Sequence, residues 1–136
     1  KEIQCYSYSS LIYVFNILFS NAVVHSGLDE EIYINVNLSI VDNKYIRIDI
    51  KNNYYDIDLV KAKSNLEIVK STWTDFKNIE RSNIEGESGF HKIKRIMIHE
   101  AKCMTEKFDF DITSDMITIS LYLLFEKNFQ DETTYN

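Results

Sequence analysis

The sequence predicts an α/β fold of the α+β kind: a two-layer sandwich with helices on one face of a mostly antiparallel mixed sheet. Three observations predict it. Apolar and polar residues alternate strictly in two separate segments, one from Ile32 to Ile50 and one from Phe108 to Phe125. Three other segments carry apolar residues at helical spacing. The helical stripes need a surface to bury against, and one face of the alternating strands supplies it.

The elements follow in order. Ile3 to Tyr8 reads as a short strand. Ser9 and Ser10 can cap a helix that reaches about His25. Its apolar residues (Leu11, Ile12, Val14, Phe15, Ile17, Leu18, Phe19, Ala22 and Val23) occupy nearly every side. The pattern predicts a buried helix with Asn16 and Asn21 as polar exceptions. Gly27 follows as a helix C-cap. Ile32, Ile34, Val36, Leu38 and Ile40 then alternate with Tyr33, Asn35, Asn37 and Ser39. Asp42-Asn43-Lys44 turns the chain, and Ile46, Ile48 and Ile50 alternate again. This is a hairpin with one face buried and one wet.

After a polar break at Asn52 to Asp58, Leu59, Ala62, Leu66, Val69, Trp73 and Phe76 form a helical stripe. A coiled coil would show the same steps, but the stripe covers fewer than three heptads, which favours a helix packed on its own domain. Ser82 to Gly89 reads as a loop. A third helix is predicted from Gly89 to about Thr105, with Phe90, Ile93, Met97, Ala101 and Met104 on one face. A second hairpin closes the domain, turning at Thr113-Ser114-Asp115, and the tail after Phe129 is polar. In this fold Ile32, Ile34, Val36, Ile48, Ile117, Ile119 and Leu121 all face the helices.

Composition narrows the function classes. The 136 residues suit one domain, 1–136, and 45% hydrophobic with 26% charged residues is globular composition. Lys plus Arg is 15 against 21 Asp plus Glu, a net charge of −6. That balance argues against a nucleic-acid reader. Cys5 and Cys103 cannot build a disulfide framework, so a reducing, cytoplasmic setting is expected. The longest apolar stretch, Leu11 to Phe19, contains Asn16 and falls short of the roughly 18 residues of a membrane span. A chain that opens on Lys1 without Met is expected to come from a longer protein.

Few residues carry chemistry. Asn21 and His25 are four apart on one helix, so both can line one cavity. The Asn21 carbonyl oxygen suits a hard cation such as Mg²⁺ beside phosphate. The alternative is an amide that bonds its own backbone surroundings. Gly86-Glu87-Ser88-Gly89-Phe90 opens a helix, where free N–H groups favour phosphate, and Lys92, Lys94 and Arg95 add positive charge. The alternative there is a plain loop with a solvated basic face. His99 and Cys103 are too few for a zinc site.

The run Asn21-Ala22-Val23-Val24-His25-Ser26 resembles the asparagine box of the GHKL superfamily of ATPases, closest to its histidine-kinase and anti-sigma-factor-kinase branches. The rest of the chain, about residues 9 to 125, follows the superfamily's order. Ile50-Lys51-Asn52-Asn53-Tyr54 stands at the first glycine box, a lid spans about 54 to 88, Gly86 to Ile93 stands at the second box, and Thr118 stands beside the adenine site. The resemblance implies a Bergerat-like sheet and a bacterial, cytoplasmic signalling module that binds ATP or ADP with Mg²⁺. It implies that Asn21 holds the metal. Asn21, His25, Asn52, Gly86, Ser88, Gly89, Phe90, Lys92 and Thr118 are the nucleotide-binding residues it implies. The partners it implies are the nucleotide, other domains of a longer chain or a protein partner, and a second copy.

The departures are as informative. Ile17 stands where hydrolysing members keep a water-activating glutamate, so weak or no catalysis and no catalytic residue are expected. Asn52 replaces an aspartate, Tyr54 a glycine, and Glu87 falls where a glycine is usual. Two rival readings stay open: an interaction or dimerisation module that has lost its ligand, and a protein kinase of histidine-kinase or anti-sigma type, whose attacking group comes from the partner protein.

Overall fold

A computed structural model describes residues 8–55, 58–75 and 89–124. The chain runs α1 (Tyr8–Val24), β1 (Ile34–Val41), β2 (Tyr45–Asn53), α2 (Leu59–Ser71), α3 (Phe90–Arg95), β3 (Phe108–Ile112) and β4 (Met116–Leu124). A π-helical turn, Ile96–Glu100, continues α3 without a break. The four strands form one open sheet in the order β1-β2-β4-β3. Every pairing among the described residues is antiparallel, so the sheet there is not mixed. The predicted α+β sandwich is the observed architecture. The predicted strand over Ile3 to Tyr8, Phe76 and the polar tail lie outside the described residues, except that Tyr8 already opens α1.

The first hairpin turns where the sequence marks it. Asp42 and Asn43 adopt positive φ, and the Lys44 N–H donates to the Val41 carbonyl at 3.1 Å. Asp and Asn tolerate this left-handed turn, whose twist matches the flanking strands. α2 begins where the Asp58 carboxylate accepts from the Lys61 N–H at 3.0 Å. Its stripe buries Leu66 and then, just past the helix, Trp73. The Trp73 indole N–H donates to the Thr105 carbonyl at 3.1 Å. Its ring lies 4.7 Å from that of Phe108, against which Phe90 packs edge-on at 5.5 Å.

Three expectations need correction. The third helix does not reach Thr105. The Ala101 N–H bonds the Ile96 carbonyl, which opens a wide turn, and Lys102 then takes a left-handed φ of 49° that ends the helix. Helix α1 is not buried all round, because Ile12, Tyr13, Val23 and Val24 are exposed along one side. Val36, Leu38 and Ile40 lie in register with Ile50, Ile48 and Ile46 and so occupy the helix-facing side of the sheet. They are nevertheless 41%, 59% and 53% exposed, because no helix among the described residues covers this edge strand. Ile34, Ile48, Ile117, Ile119 and Leu121 do pack in or against the core, and Ile32 is half-buried.

Lys94 is only 3% exposed and turned into the protein. Its ammonium donates to the Thr72 carbonyl at 2.8 Å and the Asp75 carbonyl at 3.1 Å, above the Trp73 ring. Burial lowers its pKa below the usual lysine value, against a smaller raising effect of Asp75. The folded chain thus holds this proton less tightly than the unfolded chain. The penalty is complete below the lowered folded value and vanishes as pH rises towards 10.5. Lys94→Met is expected to remove that dependence. Urea unfolding of both forms from neutral to alkaline pH checks it: the stability difference should move in favour of wild type as pH rises.

Candidate functional site

A cavity of about 520 Å³ lies between α1, α2 and the sheet. That volume is within the usual range for small-molecule sites. Its floor is Ile50 and Asn52 of β2, Ile117 and Ile119 of β4, and Ile112 of β3. One wall is Leu18, Asn21 and Ala22 of α1 with His25 just past its end, which recur at helical spacing. The opposite wall is the α2 stripe that carries Lys61, Ala62, Asn65 and Leu66, with the cap residue Asp58 at its start. Phe90 and Tyr54 complete the lining.

Two close approaches fix this arrangement. Gly27 has a φ of 68°, and a Cβ there would collide with the Tyr55 carbonyl. The Tyr55 N–H donates to the Ser26 carbonyl at 2.7 Å, which ties the chain after β2 to the end of α1. Gly89 stands against α1. A Cβ there would collide with the Ile17 side chain and lie 3.4 Å from the Asn21 amide nitrogen. The glycine thus brings the start of α3 beside Asn21, and Ile17 is a half-buried packing residue at that contact.

Asn52 is 4% exposed. Its amide NH₂ donates to the Asn53 carbonyl at 2.8 Å. A carbonyl can only accept, so the Asn52 oxygen is the atom left over. It accepts no hydrogen bond from the described residues, an uncommon state for a buried polar atom. Among the described residues the Asn21 and Asn65 amides and the His25 ring also make no side-chain hydrogen bond. The cavity therefore has an apolar floor, one buried acceptor at its base, and amides, an imidazole, an ammonium and the Asp58 carboxylate on its walls.

Of the residues singled out by sequence, Asn21, His25, Asn52 and Phe90 line the one cavity, and Gly89 adjoins it. Lys92 is exposed, on α3 outside the lining. Thr118 does not join them. It pairs with Lys51 and Asp111 on the other face, because its neighbours Ile117 and Ile119 take the cavity side. Lys94 adds no charge at the mouth, since its ammonium is spent on the Thr72 and Asp75 carbonyls. Gly86 and Ser88 lie outside the described residues. Sequence reading missed the α2 wall. Its signal was present in Asp58, Lys61 and Asn65, spaced three and four apart beside the apolar stripe. The described residues hold no cluster of three or more metal-ligating side chains. Among them no helix is long and apolar enough to cross a membrane.

The comparisons identify a class of protein, the histidine-kinase-like domains. Residues 2–126 match the model of one family, described as the y4jQ C-terminal putative histidine kinase domain, and the chain belongs to that family. No curated protein and no solved structure matches it.

The Gly89 contact yields a test. Gly89→Ala is expected to destabilise the fold by about 1–3 kcal/mol through overpacking against Ile17. The double variant with Ile17→Ala should lose less than the sum of the two single variants, read by urea unfolding of all four proteins.

Proposed function

We propose that this domain is a nucleotide-responsive regulatory module that takes ATP or ADP with Mg²⁺ into the α1–α2 cavity and has weak or no catalysis of its own. One observation carries the reading: Asn21, Asn52 and Gly89, from three separate parts of the chain, meet at one cavity. The base would lie on the isoleucine floor, with its amino group donating to the unpartnered Asn52 oxygen. That bond is neutral and therefore weaker than one to a carboxylate. The phosphates would run past Asn21 towards Gly89. Asn21 would give Mg²⁺ a single protein oxygen, with phosphate and water as its other ligands. At the position where hydrolysing members keep a water-activating glutamate, Ile17 offers neither a proton acceptor nor a hydrogen bond. Binding would bias the domain's contacts with the rest of a longer, cytoplasmic signalling chain.

One observation favours the second reading, an interaction module without a ligand. Tyr54 lines the cavity and is itself only 7% exposed. Its ring takes space that a smaller residue would leave free.

Thermal unfolding with Mg-ATP, Mg-ADP and metal-free nucleotide separates the two. Saturation at 100 times the Kd is expected to add about 2.7 kcal/mol of stability. Asn21→Ala should weaken the Mg-nucleotide more than the metal-free form, and Asn52→Leu should weaken both. No shift for wild type at millimolar nucleotide, with a shift appearing in Tyr54→Gly, would establish the second reading.

A further inference from the structure

We propose that strand β1 is a self-association edge, on which a second copy of this chain pairs antiparallel to extend the sheet across a dimer. The proposal is independent of the cavity.

β1 stands at the open end of the sheet, with β2 on one side and no strand among the described residues on the other. The Asn53 N–H bonds the Tyr33 carbonyl at the start of the ladder, so Tyr33 and the other odd-numbered residues face β2 in hydrogen-bonded pairs. The N–H and C=O groups of Ile34, Val36, Leu38 and Ile40 therefore point outward. Edges of this kind are ordinarily guarded by charges, a proline or a bulge. β1, with the sequence Ile-Asn-Val-Asn-Leu-Ser-Ile-Val, has none of the first two, and its register with β2 runs without a bulge from Ile34 to Val41. Its side chains on the helix-facing side, Val36, Leu38 and Ile40, are exposed and apolar.

The pattern fits its own copy. A twofold axis at Asn37 sets Val36 against Leu38 of the second copy, Ile34 against Ile40, and Asn35 against Ser39. Every apolar residue then meets an apolar one and every polar residue a polar one. The outward-facing even residues fall opposite each other, which is what exchanged backbone hydrogen bonds need. Charge decides the direction. Asp29, Glu30 and Glu31 precede the strand, and Lys44 follows it without a carboxylate partner among the described residues. Parallel pairing would stack the acidic triplets of the two copies, whereas antiparallel pairing sets each triplet towards the other copy's β1–β2 turn, where Asp42 and Lys44 leave no net charge. In a chain of net charge −6, this uncharged strip lets two copies approach closely.

Sedimentation equilibrium of the 136-residue chain over a concentration series tests the association. A dimer is expected, weakened roughly tenfold or more by Leu38→Lys, with unchanged circular dichroism. Leu38 is exposed, so this variant keeps its fold. Register is read separately. Asn37→Cys in a Cys5→Ala background should give a disulfide-linked dimer under mild oxidation, because it faces itself across the axis. Asn35→Cys, which faces Ser39, should not. A monomer at all concentrations overturns the proposal, and so does a dimer that Leu38→Lys leaves intact. A monomer whose Val36 and Leu38 amides are protected from hydrogen exchange overturns it in favour of a segment of the same chain on the edge.

Discussion

The pairing of β2 with β4 is the constraint on which the rest of the structure depends. The two strands belong to hairpins separated by both α2 and α3, and each hairpin needs only a local turn. Joining them is non-local, and the entropy of closing that long connection has to be offset by burial. Ile46, Ile48 and Ile50 meet Leu123, Leu121 and Ile119 in register, and this central apolar band is what the helices cover. A slip of one residue would turn the whole band to the outer face. The register is therefore specified by burial and not by the hairpin turns.

The cavity is a consequence of that ladder. Asn52 lies at the end of β2 opposite Ile117, so the same pairing that builds the core carries a buried amide to the foot of α1. The aromatic cluster of Trp73, Phe90 and Phe108 then packs α3 and the end of α2 against β3. Lys94 strengthens this corner by holding the Thr72 and Asp75 carbonyls past the end of α2. Between this corner and α1 the two helical walls stay apart, and the gap is the cavity. On the other side, no described helix covers β1. One layer thus produces a concave site at one end and an open strand at the other.

Much of this was legible in the sequence, and the misses share a cause. Alternation and helical spacing gave the strands, the turn at Asp42-Asn43-Lys44 and the α2 stripe, because those signals are local. The exposure of Val36, Leu38 and Ile40 was not legible. Alternation tells which face a residue shares, while coverage depends on how far the helices extend. The π-helical turn was equally hidden, since it arises where the chain leaves the helix through a left-handed Lys102. Lys94 read as surface charge because its stripe says nothing about which carbonyls lie across from it.

The same division holds at the site. The sequence by itself determined which residue types were available: an amide one turn before His25, an amide in place of a carboxylate at Asn52, and an isoleucine at position 17. It also determined that Thr118 and its neighbours Ile117 and Ile119 must point to opposite faces, since the period of a strand is two. Only the tertiary structure decided which of those faces holds the cavity, and so left Thr118 outside it. Only the tertiary structure set Gly89 against Ile17 and aligned the α2 residues Lys61 and Asn65 across from Asn21 and His25. The reason is range. Chemistry and periodicity are properties of a residue and its near neighbours, but a cavity is formed by elements that meet only after the two hairpins have joined one sheet.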